Sequence, residues 1–227
     1  MYELPLFPLN TVLFPGMPLS LHIFEERYKI MLQRVMQTNQ TFGVNLIRIG
    51  SEALGPLPHP HMVGCTARVV AVEPLDDGHL NLTVVGDERY RIVQVSSSQD
   101  YLTGFVETLP LETPLSLEIV KGSQLMRARL VKYLAVLTSH AQETELTDSE
   151  QNLVLSKLEL PDDPLLLIYL AAALLQIPPQ EKQALLEAES AAILLENAQR
   201  LYRRELAIMP SMLQISEDQA RLSAWVN

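Results

Sequence analysis

The sequence predicts an α+β protein, with a small β-barrel followed by an α-helical bundle. Up to about residue 110, short apolar runs of alternating character are separated by Gly, Pro and Asp, as in strands joined by turns. A proline-rich join follows at Pro110 to Pro114. Beyond it, apolar residues recur at helical spacing to about residue 209.

In the opening segment, Pro5, Pro8, Pro15 and Pro18 each lack an amide donor, so irregular edge strands or strand ends are expected there, not central strands. Met17 to Ile23 alternates, with Leu19, Leu21 and Ile23 pointing one way. Between Glu25 and Thr38, the spacing of Tyr28, Met31, Leu32, Val35 and Met36 marks one face of a helix. That helix is expected across the barrel, with Glu26, Arg27, Lys29 and Arg34 outward. Strands are predicted at Phe42 to Ile49, Val63 to Val72, Leu80 to Val85, Arg89 to Val95 and Leu102 to Leu109. Asp77-Gly78 supplies a hairpin turn, because its residues tolerate positive φ. Strands without helical layers must cover their edges, and closure into a barrel does so.

In the helical half, Met126, Leu130, Tyr133, Leu134 and Leu137 form one stripe. Thr147 to Glu150 fits a capping box that opens a short second helix. Asp163-Pro164 fits an N-cap followed by proline at the first helical position. Pro178-Pro179 ends that helix and starts another, running to about Glu189, and a last helix runs from Ala191 to Met209. The expected divisions are residues 1–112 (barrel with one inserted helix), 113–209 (helical bundle) and 210–227 (tail with a short helix ending near Trp225).

Composition narrows the function classes. The chain has 227 residues, 48% of them hydrophobic, enough for a core without disulfides or metals. The single cysteine, Cys65, has no partner in the chain, which suits a reducing, cytoplasmic compartment. MYELPLFPLN lacks the basic and apolar regions of a secretory leader. The apolar run Leu165 to Ile177 falls short of the roughly 20 residues that span a bilayer, so a buried helix is expected and no membrane partner. A net charge of −10, spread along the chain, repels a nucleic-acid backbone. The short clusters Arg89/Arg91 and Arg200/Arg203/Arg204 read as solvated faces.

No catalytic signal stands out. Neither G-x-x-x-x-G-K-S/T nor G-x-G-x-x-G occurs, and the Gly50 to Gly55 spacing runs into Pro56 and Leu57. His59, His61 and Cys65, with His79 or His22, are the nearest approach to a metal set, but the spacing matches no closed zinc pattern. A polar loop and a small buried cysteine explain them as well. Adjacent acids (Glu25/Glu26, Asp76/Asp77, Asp162/Asp163) carry little weight where turns and caps account for them. No G-x-S-x-G elbow is present. Catalytic residues, cofactors and metals are therefore not expected.

Leu4 to Tyr28 (LPLFPLNTVLFPGMPLSLHIFEERY) closely resembles the opening of the Lon protease N-terminal domain. Further matches follow in family order: Phe42-Gly43-Val44, Val63-Gly64, the Asp-Gly hairpin, and Gly86 before Arg89-Tyr90-Arg91-Ile92. In the second half, Asp162-Asp163-Pro164 with the apolar run, Lys182-Gln183, Leu185-Leu186-Glu187 and Arg200-Leu201 are similarly placed. The resemblance covers about residues 4 to 209. It implies a PUA-like barrel plus helical bundle that recognises unfolded or tagged polypeptides. It also departs from a full Lon: after Met209 come Pro210 and the last residues given, with no Walker motif and no Ser-Lys pair, so a non-enzymatic role is expected.

The leading functional expectation is a polypeptide-binding or adaptor protein in proteolysis or quality control, with a protease or chaperone component as partner. Phe24, Glu25, Glu26 and Arg27 are the candidate site: apolar residues around the helix after Phe24 capture client segments, and Glu26 and Arg27 frame them. For any one of Phe7, Phe14 and Phe24 a plain core position is favoured over capture, since large apolar residues are mostly inside. The alternative is an RNA-binding PUA-like protein using Arg89, Tyr90 and Arg91 for charge and stacking. A metal-assisted hydrolase using the histidine and cysteine cluster comes third.

Overall fold

A computed structural model of the chain describes residues 1–38, 41–53, 55–112, 116–141 and 160–224, with side chains described through residue 138 of the second helix and residue 209 of the last. It is a mixed structure of strands and helices. The strands are β1 (Tyr2–Leu9), β2 (Pro18–Ile23), β3 (Phe42–Ile49), β4 (His59–Pro60), β5 (Val63–Pro74), β6 (Leu80–Ser96) and β7 (Leu102–Thr108). The helices are α1 (Glu26–Thr38), α2 (Leu117–Ala141), α3 (Pro164–Leu174), α4 (Pro179–Leu186) and α5 (Ala191–Ala224). The capping box at residues 147–150 and Trp225 lie outside the described residues.

Contacts divide the chain into two compact units: Met1–Thr113 with Ala172–Ala191, and Pro114–Ala171 with Ala192–Asn227. In the first, the pairings run β1–β7–β6–β5–β3, and β3 returns to β1. All are antiparallel except β1 with β3. β4 extends β3, and β2 pairs with β6. Leu4, Leu6, Tyr90, Ile92, Leu102 and Val106 form a buried cluster from β1, β6 and β7.

β1 departs from the sequence reading, since it has neighbours on both sides despite its two prolines. The register explains this. Pro5 lies opposite Thr103 of β7 and has no β3 partner, whereas Pro8 lies opposite Asn45 of β3, beyond the end of the β7 pairing. Each proline faces one ladder only, so its missing amide hydrogen costs no pairing. β6 also differs: the two strands expected at Leu80 to Val85 and Arg89 to Val95 are one 17-residue strand. The Asp-Gly hairpin is as expected, with Gly78 at φ 77° and its amide donating to Leu75 O at 3.0 Å.

Residues 172–191, read from the sequence with the helical half, lie in the first unit. Side chains account for it. Gln183 Nε2 donates to Val63 O at 3.0 Å, and Arg89 Nη1 donates to Leu186 O and Ala188 O at 2.6 and 2.7 Å. The Ala191 amide donates to Glu112 O at 3.1 Å.

In the second unit, Met126, Leu130 and Tyr133 of α2 are buried. The Tyr133 and Tyr202 rings meet edge-on at 5.2 Å, and the Tyr202 hydroxyl donates to Ala171 O at 2.8 Å. Asp163 caps α3 as expected, its Oδ1 accepting from the Leu166 amide at 2.8 Å. α5 runs on past the expected stop at Met209, through Pro210, to Ala224. The segment beyond the proline carries good helix formers, among them Met212, Leu213, Gln214, Gln219, Ala220, Arg221 and Leu222, and no further Pro or Gly. No helix of the described residues is long and apolar enough to cross a membrane.

Candidate functional site

The site is built on the turn and strand that follow β1. Phe14 is buried, and the Met17 amide donates to Phe14 O at 3.1 Å to close the Leu-Phe-Pro-Gly turn. The turn is pinned to β6 by two backbone bonds: Gly16 N to Gly86 O at 2.8 Å, and Gly86 N to Met17 O at 2.9 Å. A Cβ at Gly86 would run into Phe14 O, so only glycine allows this approach. The motif thereby fixes where β2 starts.

From β2 the chain enters α1 through Phe24 and Glu25. A groove of about 420 Å³ opens here, lined by the buried Phe7 and Tyr28, with Leu19 to Phe24 as one wall and Asn10, Thr11, Glu52 and Ala53 as the other. The Phe7 and Tyr28 rings pack at 4.2 Å between centroids. The Asn10 amide donates to Glu52 Oε2 at 2.7 Å, tying that wall together.

The four candidate residues separate. Phe24 is 40% exposed at the groove's rim, with its ring 6.2 Å from each of those of His22 and His79. Glu25 lines the groove and pairs with Arg27 at 2.8 Å. Arg27 does not face outward as expected. Its guanidinium donates to Gly55 O at 3.3 Å and lies 4.8 Å from the Tyr28 ring centre, with 14% of the side chain exposed. Packing on the aromatic face and the bond to Glu25 hold it inward. Glu26 is exposed and does not line the groove; it faces Lys29 at 3.7 Å. Phe7 and Phe14 are core residues, and Met36, assigned to the buried face of α1, is exposed.

Two groove residues were missed from the sequence. Tyr28 was read as core. It is, but its hydroxyl is buried without a hydrogen-bond partner among the described residues. Burial chiefly, with help from Glu25 and Glu52 and against Arg27, pushes its pKa up to about 12, so it remains a donor at neutral pH. Glu52 gave no local signal, because its groove partner Asn10 lies 42 residues away.

The RNA reading loses its surface. Arg89 is 4% exposed and Tyr90 fully buried, so neither offers charge or a stacking face, and Arg89 is not part of a solvated patch. The Tyr90 hydroxyl is spent on Asn45 Oδ1. Gly43 leaves room for that hydroxyl, which a Cβ there would strike. Cys65 is fully buried, and desolvation pushes its thiol up to about 12, which suits a packing role and not a nucleophile. Among the described residues, no three His, Cys, Asp or Glu side chains are grouped to hold a metal. His61 instead faces Glu187 at 3.7 Å, and His79 faces Asp77 at 2.9 Å.

The chain belongs to the ATP-dependent protease La (LON) substrate-binding domain family, whose model matches residues 3–204. It is similar to Lon protease 2 of Myxococcus xanthus (27% identical over 187 residues, 81% of this chain and 21% of that protein). It is also similar to the Lon protease of Paraburkholderia phytofirmans (30% over 179 residues, 78% and 21%). The chain thus spans about a fifth of the length of these relatives. Two solved structures share the fold. A Lon N-terminal domain protein from Xanthomonas campestris superposes with a TM-score of 0.61 at 23% identity, covering 88% of this chain and 98% of that one. The N-terminal domain of the Mycobacterium avium complex Lon protease gives 0.66 at 16% identity, covering 89% and 98%.

Proposed function

We propose that this chain recognises unfolded or tagged polypeptides at the groove beside β2, as an adaptor or substrate-recognition factor in proteolysis or protein quality control. Its partners are the client segment and a protease or chaperone component; its own residues bind and break no bond. The circuit of strands is read as a PUA-like barrel, whose turn and edge carry the groove. Phe24 and Glu25 act directly in it, and Arg27 positions Glu25.

One observation carries the reading: an open, mainly apolar groove with a large aromatic at its rim, in a chain of a substrate-binding family. Concave apolar sites with a few fixed polar groups are the usual form of a binding site. A buried free cysteine suits a reducing compartment such as the cytoplasm. The test is capture of a urea-unfolded, labelled reporter protein by the whole chain. Saturable binding that requires the reporter to be unfolded is expected. Equal affinity for folded and unfolded reporter, or none for either, would overturn the reading.

A further inference from the structure

We infer that β2 takes its client as an added strand, and that the preferred client is an extended segment of alternating apolar residues carrying a basic side chain. This rests on the polypeptide-binding reading above and names the substrate class for the same groove.

The first observation is the free edge. Among the described residues the ladder of β2 is with β6 alone, Pro18 to Ile23 against Val85 to Leu80. In such a strand, alternate residues turn their N–H and C=O groups away from the partner. The groove runs along that outer edge. Every residue from Leu19 to Ile23 lines it, both the inward set and the exposed Ser20 and His22, whereas no β6 residue does. A cleft touched by both faces of a strand but not by its neighbour flanks the strand's open side, where a peptide strand would lie.

The second observation is at Tyr28, which lines the groove and whose hydroxyl is buried with no hydrogen-bond partner among the described residues. A buried polar group without a partner is costly. The hydroxyl has no exposed surface, so a backbone carbonyl of an added segment would accept from it as the groove opens to admit that segment.

The third is charge. Among the described residues the lining holds two carboxylates, Glu25 and Glu52, and no Lys or Arg, in a chain of net charge −10. Arg27 and the Asn10 amide offset these carboxylates in part. The surroundings still favour a cationic segment and repel an acidic one.

The experiment uses the whole chain and a fluorescent nonapeptide of alternating Val and Thr with one central Lys, competed against the unfolded reporter. Two further peptides carry N-methyl groups on the odd or on the even residues, and a fourth replaces Lys with Glu. Because an added strand uses amides of alternate residues only, one methylation phase should weaken binding at least about tenfold, and the other by no more than about twofold. The Glu peptide should bind at least about fivefold more weakly than the Lys peptide. Tyr28→Phe should weaken the parent peptide by about fivefold while its Tm stays level or rises, because the variant loses a bond made only with client and sheds an unmet buried group. A purely structural tyrosine would lower Tm instead. If both phases bind alike while the reporter is still captured, strand addition is wrong and the polypeptide-binding reading survives. Lys and Glu peptides binding equally overturns the charge preference. Failure to capture either peptide or reporter overturns both readings.

Discussion

Arg89 Nη1 lies 2.6 Å from the carbonyl of Leu186, 97 residues further along the chain. The same guanidinium reaches Ala188 O at 2.7 Å, and its Nε reaches Leu109 O at 3.3 Å. Leu186 ends α4, where helix carbonyls lack internal partners and the helix dipole favours a cation. A strand side chain thus closes a helix distant in sequence. Arg89→Met is expected to leave buried carbonyls unmet and to lower stability by about 2–4 kcal/mol, read from urea unfolding. Arg89→Lys, which keeps the charge but not the fork of donors, should fall between.

Gly86→Ala places a methyl group against the backbone oxygen of Phe14, and backbone cannot give way as a side-chain tip can. A loss of about 2 kcal/mol or more is expected from the resulting shift, read from thermal unfolding. Gly78→Ala meets open space at φ 77°. Its cost is backbone strain alone, about 1–2 kcal/mol.

Stability should fall on the alkaline side. Burial raises the Cys65 thiol from 9.0 to about 12 and the Tyr28 phenol from 10.0 to about 12. Well below pH 9 both groups are protonated whether the chain is folded or not. Above their unfolded values the unfolded chain releases protons that the folded chain keeps, so stability declines as pH rises until the folded values are passed. The urea midpoint should drop between pH 9 and about 12, by less in Cys65→Ala when each midpoint is compared with its own value at pH 8. A thiol reagent at pH 8 should label Cys65 only upon unfolding.

Phe24→Ser should weaken capture of unfolded reporter by about tenfold, the loss of an anchoring aromatic, with Tm nearly unchanged because the ring is partly exposed. Arg27→Glu should behave differently. It sets a carboxylate beside Glu25 and gives up the Gly55 bond and the Tyr28 contact, so Tm itself should fall. Glu26→Lys, on the exposed side of α1, should change neither by much.

Much of this was legible in the sequence, where the cause was local. The alternation of Leu19, Leu21 and Ile23, the Asp77-Gly78 turn and the Asp163 cap depend on neighbouring residues, and each is found. Features that depend on distant partners were hidden. Arg89 looked like a surface charge because the carbonyls it serves lie near residue 187. Pro5 and Pro8 looked like edge markers because the sequence does not reveal that the β7 and β3 ladders overlap only at Leu6. Of the candidate stretch Phe24 to Arg27, Phe24 and Glu25 line the groove, while the opposite wall at Glu52 is supplied by tertiary structure.

The groove account is tested most directly by amide hydrogen exchange on the whole chain with and without saturating unfolded reporter. Slower exchange concentrated in residues 18–25, with a lesser effect at residues 10–11 and 52–53, is the predicted result. Protection confined to other segments, with these unchanged while the reporter is bound, would contradict it.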